Sequence, residues 1–261
     1  MNLPRFLRLA ALSLTLCLPA AAAETADAFV ASIEEAHNAA AYRQHAAVEA
    51  GFEVVYPGML ELRGTVLFDT PAGRSRMTLD DGSVWVHDGS TAWVAPGSPS
   101  SERARFHLLT WPYFFAAFSK LNDPGTHREA PVPLPVKDAD DVRHGVKLTF
   151  DDGVGDSPDD WYHAFRGEGG RLDALAYIVS YGKDAAAAEA SPSVCLYTDF
   201  EEVEGVTVPV AWSTYRWSPD SGIAEDGFKG ETTFTDVRFV DPPADAFVAP
   251  EGATEQALPG S

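Results

Sequence analysis

A run of carboxylates near the middle of the chain contains residue types that could bind a metal ion. Five aspartates fall within ten residues and are interrupted by glycine and proline: Asp151, Asp152, Asp156, Asp159 and Asp160. Carboxylate oxygens on a glycine-containing loop suit Ca²⁺, but this spacing lacks the glutamate that ends an EF-hand loop. A solvated turn, in which Asp side chains bond their own backbone, is therefore favoured. This acidic loop (residues 151–160) is the weak candidate for a metal site and for a metal-dependent enzyme.

The motifs of common enzyme classes are missing from the sequence. It has no Gly-x-Ser-x-Gly elbow, no His-Glu-x-x-His, no Cys/His cluster and no Gly-rich phosphate loop after a strand. His37 and His45 lie eight residues apart in a predicted helix, without an evident third ligand. Carboxylate pairs are uninformative because the chain has 39 acidic residues. The sequence predicts no catalytic residue and no cofactor, and it favours a non-enzyme.

Aromatic side chains form the most informative cluster. Six of the thirteen residues from 106 to 118 are aromatic. One interpretation is that this aromatic segment lines an apolar cavity together with tryptophans from elsewhere. The candidate lining residues are Trp85, Trp93, Phe106, Trp111, Tyr113, Phe114, Phe118 and Trp161. Aromatic rings fill cores as readily as pockets, so a solid core remains the alternative.

The first 23 residues have the features of a secretory signal peptide. Arg5 and Arg8 precede a short apolar stretch, and small residues end at Ala23. Cleavage there predicts a periplasmic or secreted protein, and Leu16 before Cys17 argues against lipoprotein processing. No later segment is long and apolar enough to cross a membrane.

The rest of the chain is strongly acidic and cannot form an internal disulfide. The full sequence has a net charge of −20, which would repel phosphate backbones, so nucleic acid is not an expected partner. Removal of Cys17 with the signal peptide would leave Cys195 as a lone cysteine, which we expect to be a buried small hydrophobe.

The spacing of apolar residues predicts the elements that position these side chains. Residues 25–48 have a helical period, and a second helix is expected from Pro112 to Leu121. Alternating apolar residues and Asp-Gly turns predict a four-stranded meander over residues 59–94. Six further strands are expected between residues 146 and 240. One domain over residues 24–249 and a loose tail over 250–261 complete the predicted organisation.

Several sequence blocks resemble those of a known superfamily. They are Leu62-Arg63-Gly64-Thr65-Val66, Asp81-Gly82-Ser83-Val84-Trp85-Val86, Asp88-Gly89-Ser90-Thr91-Ala92-Trp93, Arg105–Phe114, Lys120–Gly125 and Gly155–Tyr162. The first three resemble the LolA/LolB-like periplasmic lipoprotein carriers, and the others resemble a family of exported bacterial proteins of unknown function with that fold. The resemblance implies an α+β, mainly β fold. Its large curved antiparallel sheet, or incomplete β-barrel, would have helices across the concave face.

Three functional hypotheses follow. The first is a non-catalytic binding protein for a lipid, an acyl chain or lipoprotein-like cargo, with residues 111–118 as a movable wall. The second is a solid-cored module that binds another protein of the envelope. The third is a metal-dependent enzyme that uses the acidic loop.

Overall fold

One antiparallel sheet of 14 strands organises the chain. The structure is a computed structural model that describes residues 23–70 and 73–258. The strands are β1 (Ala47–Tyr56), β2 (Leu60–Asp69), β3 (Ser75–Leu79), β4 (Val84–His87), β5 (Ala92–Val94), β6 (Thr126–Arg128), β7 (Val132–Pro135), β8 (Val142–Phe150), β9 (Tyr162–Arg166), β10 (Leu172–Tyr177), β11 (Ser193–Val203), β12 (Val206–Ser218), β13 (Gly222–Val240) and β14 (Thr254–Gln256). Their order across the sheet is β14-β5-β4-β3-β2-β1-β13-β12-β11-β10-β9-β8-β6, and β7 also pairs with β8. Within the described ranges β14 and β6 do not pair, so the sheet is open.

The predicted meander is confirmed. Strands β2 to β5 pair in chain order, each antiparallel to the one before it. Gly82 and Gly89, at two of the turns, have φ values of 92° and 104°, a region that side-chain-bearing residues rarely adopt. The Asp-Gly pairs therefore predicted the connections for the correct physical reason.

The N-terminal helix is shorter than the sequence pattern predicted. Helix α1 (Ala26–His37) is capped by the Thr25 side chain, which accepts from the Ala28 N–H at 3.2 Å. It ends where Asn38 adopts a left-handed conformation with φ 54°. A four-residue helix, α2 (Ala39–Tyr42), follows, and strand β1 begins at Ala47. The helical propensity of the alanines near residue 47 concealed this strand, because sheet pairing overrides a weak local preference.

Helix α3 (Ala104–Ala116) begins eight residues earlier than predicted and places Pro112 in its interior. A 3₁₀ turn over residues 117–119 continues it. Pro112 has no N–H for the carbonyl four residues before it, that of Leu108. The Ser75 hydroxyl donates to that carbonyl at 2.6 Å instead. A side chain from β3 thus makes an interior proline tolerable in this helix.

The sequence predicted about ten strands and missed β1, β6, β7 and β14. Strand β14 pairs with β5, so residues 254–256 form an edge strand within the segment expected to be a loose tail. Residues 184–192, expected to be a link, contain the short helix α4 (Ala185–Glu189).

Apart from Ala23, the expected signal peptide and Cys17 fall outside the described residues. Over the described ranges, no helix has both the length and the apolar character needed to cross a membrane.

Both faces of the sheet carry buried side chains. Helices α1 and α3 share one face, because Phe29 and Ile33 of α1 join Phe114 and Phe115 of α3 in one large apolar cluster. We call this the inner face. A smaller cluster on the outer face includes Val136, Trp161, Phe165, Ala188 and Trp217. The predicted mainly β class, with one large open antiparallel sheet and few helices, is confirmed.

Candidate functional site

A cleft of about 670 Å³ lies between α3 and the inner face of the sheet. Strands β2, β8, β9 and β10 contribute apolar side chains to its wall. Among these are Leu60, Phe68, Phe150, Tyr162 and Tyr177. A volume of several hundred Å³ with mainly apolar walls is typical of sites for small lipophilic ligands.

The structure brings four of the eight candidate lining residues to this cleft. Phe106, Trp111, Tyr113 and Phe114, all on α3, lie along its wall. Phe106 and Tyr113 are half-buried, whereas Trp111 and Phe114 are almost fully buried. Phe114 packs edge-on against Tyr177 at a centroid distance of 4.9 Å. The wall of the cleft is thus continuous with the packed core.

The other four candidates do not line the cleft. Trp85 is buried and donates from Nε1 to the Ser100 carbonyl at 2.8 Å. Trp93 donates to Asp88 at 2.9 Å within the β4–β5 hairpin. Trp85 and Trp93 thus have different hydrogen-bond partners, and neither lies on the wall of the cleft.

Phe118 and Trp161 are also elsewhere. Phe118 is fully buried and stacks on His37 at a centroid distance of 4.5 Å. Trp161 belongs to the outer-face cluster and donates to Glu189 at 2.8 Å. Phe118 and Trp161 thus pack in the two apolar clusters and do not lie on the wall of the cleft.

Helix α3 is fixed to the sheet by polar contacts as well as by packing. Besides the bond from Ser75 to the Leu108 carbonyl, the Tyr197 hydroxyl donates to the Phe114 carbonyl at 2.7 Å. Trp111 donates from Nε1 to His107 Nδ1 at 3.2 Å. Burial, with a smaller contribution from the charge of Arg103, lowers the pKa of His107 to about 3, so His107 is neutral and can accept this bond.

The acidic loop does not assemble a metal site. Across the described ranges, no group of three or more His, Cys, Asp or Glu side chains is placed to hold a metal ion. Asp151 contacts His127 at 2.6 Å, and Asp156 makes two contacts with Arg105 of α3 at 2.5 and 2.8 Å. Asp160 accepts from the Ser180 N–H at 2.6 Å. The carboxylates of this loop thus contact different partners and do not converge on one point.

Two aspartates of the acidic loop border the cleft. Asp156 and Asp160 lie on its wall. Burial raises the pKa of Asp160 to about 6, partly opposed by its bonds to Ser180. The ion pair between Asp156 and Arg105 joins the loop to α3, and both side chains are largely buried.

The two histidines of the N-terminal segment have structural roles. His37 is buried and contacts the Thr207 carbonyl through Nδ1 at 2.6 Å, while its Nε2 accepts from the Leu172 N–H at 3.0 Å. His45 stacks on Phe239 at a centroid distance of 3.7 Å. The predicted helix would have placed both histidines on one face, but His45 lies after the end of α2 and is not part of a helix.

The sequence reasoning missed the basic residues of the cleft. Arg103, Lys120, Lys183 and Lys229 all lie on its wall. Arg103 sits over the Phe106 ring at 4.4 Å, and Lys120 pairs with Asp123 at 3.3 Å. Arg103 and Lys120 flank α3 and its 3₁₀ turn, whereas Lys183 and Lys229 come from two distant parts of the chain, so no local spacing could have indicated that all four meet.

The sequence matches no protein-family model and no curated protein. Solved structures are similar to it at low identity. A DUF1329 family protein from Desulfovibrio piger has 9% identity and a TM-score of 0.51, with 86% of this chain and 97% of that chain covered. A LolA superfamily protein from Nitrosomonas europaea has 16% identity and a TM-score of 0.49, with coverages of 87% and 98%.

A putative outer membrane lipoprotein-sorting protein domain from Vibrio parahaemolyticus has 11% identity and a TM-score of 0.47, with coverages of 83% and 97%. At such identities, similarity concerns the fold alone, and of these three structures the one from Desulfovibrio piger has a TM-score above 0.5. The open antiparallel sheet, with α1 and α3 on one face, agrees with the resemblance noted in the sequence. The chain shares the fold of the DUF1329 family protein from Desulfovibrio piger.

Proposed function

We propose that this protein is a non-catalytic binding protein for a lipophilic ligand outside the cytoplasm. The ligand class is a lipid, an acyl chain or lipoprotein-like cargo, and its site is the cleft beneath α3. The observation that carries the proposal is the cleft itself, about 670 Å³ with an aromatic wall next to a well-packed core. A core that only had to be stable would gain by filling this space.

The size of the hydrophobic effect makes such binding feasible. Each buried CH₂ group contributes about 0.8 kcal/mol, so a long acyl chain contributes on the order of 11 kcal/mol before the costs of association. Even a loss of several kcal/mol leaves micromolar affinity within reach. The aromatic wall supplies the apolar surface, and no catalytic group is needed.

A homologous series of neutral alcohols tests the proposal. A neutral, environment-sensitive dye such as N-phenyl-1-naphthylamine should bind the delipidated protein, and 1-alkanols from octanol to hexadecanol should displace it. Affinity should rise about fourfold for each added methylene until the cleft is full. Native mass spectrometry of gently purified protein should also show adducts at lipid masses.

A blocking variant locates the site. Val179 is a half-buried residue of the cleft wall, so Val179→Trp should fill space and abolish displacement by long alcohols. Val142→Trp is the matched control, because Val142 is an exposed residue of β8 and the substitution is the same. Equal dye binding by both variants, or no dye binding by the wild type, would contradict the proposal. Capture of an envelope protein without any effect of lipids would then favour the interaction module.

A further inference from the structure

Two lysines stand beside apolar surface at the cleft, in a protein whose net charge is −20. Lys229 lies on β13 and Lys183 in the turn that follows β10, and both border the cleft together with Ser193. Tyr56 and Tyr177, which also line the cleft, belong to the large apolar cluster. Positive charge and apolar wall therefore meet in one site.

Lys229 lacks a partner of opposite charge in the described part of the chain. Its ammonium group donates to the Ser193 hydroxyl at 2.9 Å, and it forms no ion pair. Its side chain is half-buried, and Ser193 is 3% exposed. The Ser193 oxygen accepts the lysine bond, so its own hydrogen can be donated to a ligand.

Of the five acidic groups of the cleft wall, four already have partners, among them Asp69 with Arg74, and the fifth, Glu102, is exposed to solvent. Asp123 pairs with Lys120, and Asp156 pairs with Arg105. Asp160 accepts from the Ser180 N–H. The lysine ammonium groups, rather than these carboxylates, are therefore available to bind a charged group of a ligand inside the cleft.

The surroundings of Lys229 disfavour its charge. Burial lowers its pKa, and the charge of Lys183 acts in the same direction. A partly desolvated ammonium group without a counter-ion is destabilising, and a bound anion would reverse that effect. The half-buried ammonium group of Lys229 would therefore be stabilised by a bound anion.

We propose that the ligand is an amphiphile with an apolar chain and an anionic headgroup, and that Lys229 and Lys183 bind the headgroup with help from Ser193. The chain would lie along the aromatic wall of α3, and the carboxylate or phosphate of the headgroup would contact the lysines. This inference rests on the proposed function and narrows its ligand class. Both lysines contact the headgroup, and the bond from Lys229 to Ser193 holds the Lys229 ammonium group in place.

Probes that share one chain and differ in headgroup test the inference. Hexadecanoate, hexadecyl phosphate and hexadecanol are compared by displacement of the neutral dye, below their aggregation concentrations. Charge-assisted hydrogen bonds should make both anions bind at least about tenfold more tightly than the alcohol. Their advantage should shrink at high ionic strength, because salt screens charges near the surface. The relative affinity of the two anions tells which headgroup the site prefers.

Variants assign the effect to the residue. Lys229→Met should remove most of the advantage of the anions and leave hexadecanol affinity unchanged, whereas Lys229→Arg should retain it. Lys137→Met is the matched control because Lys137 is exposed and outside the cleft. Unchanged thermal melting of Lys229→Met would exclude misfolding, and Lys229→Arg supplies a second comparison if that variant is unstable.

The outcomes separate this inference from the function on which it rests. If hexadecanol displaces the dye as well as the anions do, in both wild type and Lys229→Met, the headgroup site is refuted and the apolar cleft stands. If inorganic phosphate alone competes as strongly as hexadecyl phosphate, the chain plays no part and the inference is equally refuted. If no probe binds, both proposals fail together.

Discussion

Replacing Ser75 with alanine would leave the Leu108 carbonyl without the hydroxyl that now donates to it at 2.6 Å. Ser75 is 1% exposed, so water does not readily take the place of the hydroxyl. Pro112 cannot supply the missing donor because its ring nitrogen carries no hydrogen. A buried acceptor left unsatisfied costs about 1–3 kcal/mol. In a protein of this size each kcal/mol lowers Tm by about 2–4 °C.

A double-mutant cycle tests this explanation of the interior proline. In Pro112→Ala, the new N–H lies four residues after Leu108 and can donate to its carbonyl. Ser75→Ala should therefore cost at least about 1 kcal/mol less in that background than in the wild type. Urea unfolding monitored by tryptophan fluorescence measures all four proteins, and Ser221→Ala serves as an exposed serine control. Equal losses in both backgrounds would refute the compensation between Ser75 and Pro112.

Two further predictions concern buried titratable groups. Burial lowers the pKa of His37 to about 4, so it is neutral when folded, but the unfolded chain takes up the proton near pH 6.5. Its stabilising contribution is therefore complete above about pH 6.5 and is lost as pH falls toward 4, on the order of 3 kcal/mol. Urea unfolding across that range should show a smaller pH dependence for His37→Gln, and an unchanged slope would contradict the assignment. Burial raises the pKa of Cys195 to about 12, so iodoacetamide should modify it only in urea; rapid alkylation of the folded protein would contradict its burial.

Local patterns predicted those parts of the fold that depend on neighbouring residues. The hairpins with Asp-Gly turns, and the capped start of α1, are set by contacts within a few positions. Strand β1 was missed because its pairing partners lie far away, at β13 in one direction and β2 in the other. Strand β14 was missed for the same reason, since its partner β5 lies about 160 residues earlier in the chain. Short polar segments reveal little of such long-range pairing.

The site was predictable only in part. The aromatic segment indicated α3 as its wall, because a helix with aromatic side chains on several sides must be buried on several sides. Trp161 immediately precedes β9 and packs in the outer-face cluster, and the aromatic pattern of α3 contains no information about that side of the sheet. Lys229 and Lys183 required the folded chain, since their proximity depends on the pairing of β10, β11, β12 and β13.

The contacts of α3 also bear on how a ligand could enter the cleft. The sequence suggested residues 111–118 as a movable wall, but Phe114, Phe115 and Phe118 are almost fully buried. Exposing each of them would cost about 1.5–3 kcal/mol, and the main-chain carbonyls of Leu108 and Phe114 would lose their partners as well. The acidic loop contacts α3 through the ion pair between Arg105 and Asp156, whose side chains are only 11% and 14% exposed, so breaking that pair is also costly. Displacement of α3 would expose several rings and leave two main-chain carbonyls without partners, and α3 is therefore better understood as the fixed wall of the cleft.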